Sequence, residues 1–292
     1  MSAVNSVSTP SVPRRKRGSI SKRIAGAAIG LALLVMVAVQ LLPFYVTLTT
    51  ALKQQSDLSS QWWFPIATIY WGNFATAIEQ GNILTAIGNS AIVTIVSTVL
   101  VCVLGALAAY PLARRQTALN KLVLLGIIGL IMIPPLSILV PLYSMLNKLN
   151  AINTYWGIIL VMATAQLPLA IFLYSAFMRS LPIAVEEAAT MDGANRMQVL
   201  FWVIFPMLKP VTATVVILAG VGIWNDYALS VYVLTDPSVK TIAPAIGSFF
   251  STQSSNLGAA AAASIMGVVP VLIAYLFLQR YFIRGMVAGA EK

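Results

Sequence analysis

The sequence predicts an all-α integral membrane protein with six transmembrane helices and cytoplasmic N- and C-termini. Three observations carry that expectation. Of 292 residues, 59% are hydrophobic and 9% charged, with a mean hydropathy of +0.87, so there is more apolar surface than one soluble core would hide. Charge-free runs occupy residues 24–52, 80–113, 122–147, 149–178 and 241–279. A helix rising ~1.5 Å per residue crosses ~30 Å of hydrocarbon in about 20 residues, so each run holds one span. A sixth run, residues 211–234, is interrupted only by Asp226 and lies between Pro210 and Asp236-Pro237. Finally, if the N-terminus is cytoplasmic and six spans alternate, only Lys53, Lys148 and Lys240 of the 18 lysines and arginines fall outside. Basic residues retained in cytoplasmic loops orient membrane proteins in this way.

The net charge of +10 is therefore orientation charge, and no nucleic-acid partner is expected. The absence of histidine and the single cysteine, Cys102 in the second span, argue against zinc sites, histidine-based triads and internal disulfides. No G-x-x-x-x-G-K-[ST] loop occurs, so any ATP chemistry must belong to a partner.

Taken in order, residues 1–23 are rich in Ser, Pro and basic residues and read as a disordered cytoplasmic tail ending in an inner-surface anchor. Residues 24–50 form the first transmembrane helix. Arg14-Arg15-Lys16-Arg17 before an apolar run also suits a secretory signal, but this run exceeds the usual 7 to about 15 residues and continues through Gln40 and Pro43 without a small-residue cleavage site. A retained anchor is expected. Residues 51–83 form an outer loop whose Trp62, Trp63, Tyr70 and Trp71 suit the headgroup layer.

Residues 84–283 make up the transmembrane domain. Arg114-Arg115 turns the chain between spans two and three, and Pro134-Pro135 with Pro141 should kink or unwind the third. Such breaks survive in lipid only against protein or a wet cavity. The fourth span ends near Arg179, and a polar loop, residues 179–210, precedes the fifth. Residues 236–264 read as a second outer loop, rich in Ser and Ala, and residues 284–292 as a cytoplasmic tail.

The polar loop contains "EEAATMDGANRMQVLFWVIFPMLKP", residues 186–210. Ser180 is placed to cap a helix with Pro182 in its first turn. Ala184, Val185, Ala188 and Ala189 would share a face open to close approach. Gly193 would end this helix in the left-handed conformation. Asn195 with Gln198 is a capping-box pattern for a second helix over residues 196–205, stopped by Pro206 and Pro210. The expected result is two short helices meeting at an exposed corner, residues 190–195. Physics alone allows either a docking knob or an amphipathic hairpin on the bilayer surface.

Glu187-Ala188-Ala189, three residues, Gly193, nine residues, then Val203-Ile204-Phe205-Pro206 resembles EAA-x3-G-x9-I-x-L-P, the signature of permease subunits of binding-protein-dependent ABC importers. Val203 and Phe205 replace Ile and Leu, both apolar. "GIWNDYALSVYVLTD" and "LQRYFIRGMVAGAEK" resemble the fifth span and C-terminus of carbohydrate-importer permeases of the maltose-system type. The resemblance implies the type I ABC importer permease fold, a bacterial plasma membrane location, and uptake of a sugar by alternating access. The implied partners are a second homologous permease, two cytoplasmic ATPases that hold ATP and Mg, an external substrate-binding protein and membrane lipid. It implies no cofactor bound by this chain. By carry-over, Met191, Asp192, Gly193, Ala194, Asn195 and Arg196 contact an ATPase, with Glu187, Ala188 and Ala189 in support.

Trp224, Asn225, Asp226 and Tyr227 offer aromatic faces and hydrogen-bonding groups in or near the fifth span, the chemistry of a sugar path. They equally suit a capped helix break with interface anchors. Tyr45, Asn89 and Gln166 are weaker path candidates, since isolated polar residues often hold helices together. The alternative class is an ion-gradient-driven secondary transporter or channel, for which Asp226 is the single intramembrane ionisable candidate.

Overall fold

A computed structural model describes residues 20–57, 59–60, 62–66, 68–115, 117–250 and 256–290. The predicted tail up to position 19, and residues 291–292, lie outside the described residues. The chain divides into two units, residues 1–46 and 47–292. The described part of the first is most of one long apolar helix, α1 (Ile20–Ala51), which begins inside the predicted tail.

In the second unit, α2 (Gly72–Glu79) lies within the predicted outer loop. Then follow α3 (Ile83–Arg114), α4 (Ala118–Ile131), α5 (Leu139–Lys148) and α6 (Tyr155–Ser180). The polar loop holds α7 (Ala184–Met191), α8 (Arg196–Gln198), a π-helical segment Val199–Ile204 and α9 (Phe205–Met207). Beyond it come α10 (Lys209–Trp224), α11 (Ser230–Val233), α12 (Ile242–Gly247) and α13 (Leu257–Ala290), so most of the predicted C-terminal tail is helical.

Among the described residues, four helices are long and apolar enough to cross a membrane: Ile24–Ala51, Ile83–Arg114, Tyr155–Ser180 and Leu257–Phe277. Two pairs, Ala118–Ile131 with Pro135–Lys148 and Arg196–Met207 with Lys209–Trp224, are bent by 97° and 75°, and raise the number to six if each is one span. The prolines explain the first bend. Pro134 is extended (φ −62°, ψ 130°), as a residue before proline tends to be, so α4 ends and a 3₁₀ turn, Pro135–Ile138, starts α5 in a new direction. The run expected as the fifth span, residues 211–234, is also divided, because α10 stops at Trp224 and α11 resumes at Ser230.

The core is built on α3 against α6. A Cβ on Gly105 would lie 3.1 Å from Ala170 Cβ and 3.4 Å from Tyr174 Cδ2, a close helix crossing that only a small residue permits. Tyr174 is wholly buried and donates its hydroxyl to Thr212 Oγ1 of α10 at 3.1 Å. A second apolar cluster joins α2, α12 and the start of α13. Here Ala259 to Ala263, predicted as outer loop, form buried helix instead. Alanine is the best helix former, and its small side chain lets α2 and α10 approach; asparagine Asn73 fills the space beside Gly258.

Away from the Arg114 end of α3, side-chain amides organise the loops. Asn89 donates to Ser238 O (3.0 Å) and Lys240 O (2.9 Å) and accepts from the Tyr155 hydroxyl at 2.6 Å. Asn153, in the left-handed region at φ 57°, accepts from Thr235 N and Asp236 N at 2.7 and 3.0 Å. Lys53 is buried, not a free surface charge. Its Nζ donates to Ser59 Oγ (2.8 Å) and Ser60 O (2.7 Å), folding the first loop around itself.

Candidate functional site

The corner between α7 and α8 is assembled from local sequence. Gly193 has φ +88°, so it continues the chain where an L-residue would be strained. Its N–H donates to Thr190 O and Ala194 N–H to Ala189 O, each at 3.0 Å, the paired bonds of a Schellman cap. Ala189 and Ala194 both pack on the main core, which seats the corner. Asn195 Oδ1 then accepts from Met197 N (3.1 Å) and Gln198 N (2.9 Å), while Gln198 Oε1 accepts from Asn195 N at 2.8 Å. The capping box read from sequence is therefore present.

Three expectations about this loop need correcting. Ser180 does not cap α7; its hydroxyl donates back to Phe177 O at 2.8 Å, and α7 starts at Ala184 without a side-chain cap. The cause is Pro182, which forces Leu181 into an extended conformation (ψ 137°) and separates α6 from α7. The predicted small-residue face is split: Val185 and Ala189 turn inward, whereas Ala184 and Ala188 are exposed. The second helix does not stop at Pro206 but runs on to Met207. Before the proline the turn widens to π geometry, with Phe205 N bonding Leu200 O five residues back. A wider turn relieves the clash between a proline ring and the carbonyl four residues behind it. The break falls at Leu208 instead, and Pro210 sits in the first turn of α10.

Of the residues assigned to coupling, Glu187, Ala188, Met191, Asp192, Gly193, Asn195 and Arg196 are exposed, while Ala189 and Ala194 are half-buried. Met191 is 88% exposed at the tip, an apolar side chain standing in the open next to Asp192 and Arg196. Sequence reasoning missed the residues that fasten this corner. Glu186, on the inward side of α7, accepts from Arg114 Nε at 2.5 Å and from the Tyr110 hydroxyl at 2.9 Å. The sequence marks Arg114 as orientation charge in the turn between spans two and three, and the i, i+4 spacing of Tyr110 and Arg114 at the end of α3 is the signal that could have found the pair.

Trp224, Asn225, Asp226 and Tyr227 straddle the break between α10 and α11. Trp224 is buried and Tyr227 half exposed. Asn225 Nδ2 donates to Val221 O at 2.9 Å. Asp226 Oδ2 accepts from Ser230 N (2.9 Å) and Ser230 Oγ (2.8 Å), which secures the start of α11. Trp224 also lines a groove of about 640 Å³ between α3, α10 and α13, whose other walls are mostly Val, Ile and Ala with Thr94 and Thr98. Gln166 lies beside Gly222 at the α6 to α10 contact, and Asn89 is occupied with loop carbonyls as described above.

An apolar bundle of helices with an exposed, capped corner tied to α3 fits the membrane component of a transport system. Residues 101–288 match the family described as "binding-protein-dependent transport system inner membrane component", and the chain belongs to that family. It is 44% identical to the melibiose/raffinose/stachyose import permease protein MelC of Bacillus subtilis, over 86% of this chain and 91% of that one. It is 32% identical to the multiple sugar-binding transport system permease protein MsmG of Streptococcus mutans, over 86% and 92%. The trehalose transport system permease protein SugB of Mycobacterium tuberculosis is also 32% identical, over 88% and 94%. In fold, the chain resembles one from the crystal structure of a bacterial ABC transporter that imports the acidic polysaccharide alginate. The TM-score is 0.76 at 21% identity, covering 94% of this chain and all of that one.

Proposed function

We propose that this chain is the permease subunit of an ATP-driven importer in a bacterial plasma membrane. It would pass a small sugar, delivered by an external binding protein, across the bilayer by alternating access. The observation that carries this reading is the corner at residues 190–195, capped on both sides, seated on the core and exposed at its tip. One of two ATPase subunits holding ATP and Mg would grip that tip, with a second homologous permease completing the path. Moving a two-state population from 1:99 to 99:1 takes about 5.5 kcal/mol of differential binding, so the part that receives the motion must be stiff. A doubly capped corner meets that requirement.

The sugar class is supported by relatives named for melibiose, raffinose, stachyose and trehalose. Trp224 and Tyr227 are the aromatic surfaces offered to a sugar, with Asn225 and Asp226 holding the break between them. The competing ion-coupled reading depends on Asp226, and its engagement with Ser230 leaves that carboxylate in a capping role.

The test is a cysteine crosslink from the tip. Met191→Cys, treated in native vesicles with a short bifunctional reagent, should capture a nucleotide-binding subunit, and sugar uptake should cease on ATP depletion while the membrane potential is maintained. Uptake that survives without ATP and collapses with the ion gradient would replace this reading by the ion-coupled one.

A further inference from the structure

Arg114 ends α3, and its guanidinium holds three separate pieces of chain. Nε donates to Glu186 Oε1 of α7 at 2.5 Å. A terminal nitrogen donates to Met178 O in the last turn of α6 at 2.6 Å and reaches Leu181 O, beyond the end of α6, at 3.4 Å. Tyr110, one turn earlier on α3, donates to the second carboxylate oxygen of Glu186 at 2.9 Å. Both charged side chains are nearly buried, Arg114 at 13% and Glu186 at 12% exposure.

What these bonds span matters. Between Ser180 and Ala184 the chain is not helical, so on that side the corner is joined to the bundle by a short link. Such a link absorbs rotation. A displacement applied at residues 190–195 would be taken up at Leu181 to Ile183 unless both sides of the link were held to a common body. Arg114 holds both, since it grips the end of α6 and the first turn of α7 from the same point on α3. A planar guanidinium with five fixed donors serves a carboxylate and backbone carbonyls at once, which a lysine ammonium does not reproduce. Burial keeps the pair poorly screened and strengthens its bonds.

We propose that Tyr110, Arg114 and Glu186 form a brace that positions the corner against α3 and α6 and carries its displacement into the spans. They are positioning residues, and the proposal rests on the importer reading above.

The experiment uses the full complex with its ATPase, partner permease and binding protein, reconstituted in proteoliposomes, with labelled melibiose, raffinose and trehalose as probes. The readout is sugar taken up per ATP hydrolysed, alongside the yield of assembled complex. Glu186→Gln and Arg114→Lys keep size or charge but break the brace. Each should lower the ratio by about tenfold, as expected for losing a hydrogen bond to a charged group. Tyr110→Phe, which likewise removes one bond to the Glu186 carboxylate and little packing, should lower it by about tenfold as well. An unchanged ratio in these variants, whether yield is normal or reduced, overturns the brace, since a merely structural role alters yield alone. If the charge variants do not assemble, Tyr110→Phe decides alone. A wild-type complex that hydrolyses no ATP, or takes up a probe without ATP, defeats the importer reading instead.

Discussion

Gly193 shows how much one residue can carry. A Cβ added there would meet nothing within 4 Å, yet its φ is +88°. Any defect from Gly193→Ala must therefore come from the backbone, at a cost of about 1 to 2 kcal/mol for the left-handed conformation. The expected outcome is a correctly inserted protein whose corner is displaced, with sugar uptake reduced at unchanged abundance. Uptake assays normalised to membrane content would check it. Asn195→Ala removes both side-chain acceptances and should cost about 1 kcal/mol of local helix stability. Faster hydrogen exchange at Met197 and Gln198, without change in α3 or α6, would report that loss. Both roles were legible in the sequence because caps are short-range; the partners of Glu186 were not, because Tyr110 and Arg114 are more than seventy positions away.

Among the elements, the α3 to α6 contact depends on Gly105. The neighbours of its added Cβ are the methyl of Ala170 and the ring of Tyr174, both within 3.4 Å. Neither can move without disturbing the core. Gly105→Val should overpack this crossing and cost about 1 to 3 kcal/mol, seen as a lower Tm of the detergent-solubilised protein. Gly220→Ala, inside α10 with its nearest neighbour Thr98 Oγ1 at 3.7 Å, should leave Tm unchanged or raise it, because alanine is the better helix former, and serves as the comparison. The bent elements were only partly readable. Pro134 and Pro135 announced a break, but nothing in the local sequence gives its 97° size. The π segment before Pro206 carried no sequence mark beyond the proline itself, which taken alone predicts an end and not a wider turn.

For the whole molecule, the orientation derived from charge placement has a direct check. Cys102 is buried, so introduced cysteines can be labelled over a low background. A membrane-impermeant maleimide added to intact cells should label Trp63→Cys, whereas Met191→Cys should react only after permeabilisation. The reverse pattern would invert the topology. Long apolar runs, the placement of basic residues and the spaced EAA-like motif determined the class of the molecule, since hydrophobicity, charge bias and local capping are properties of contiguous chain. What only the tertiary structure decided is which distant groups meet: Arg114 and Tyr110 reach Glu186 across more than seventy positions and fasten the corner to the bundle, while Asn89 reaches the carbonyls of Ser238 and Lys240. These partners are brought together by folding, and a nearly buried charge without them is too costly to keep.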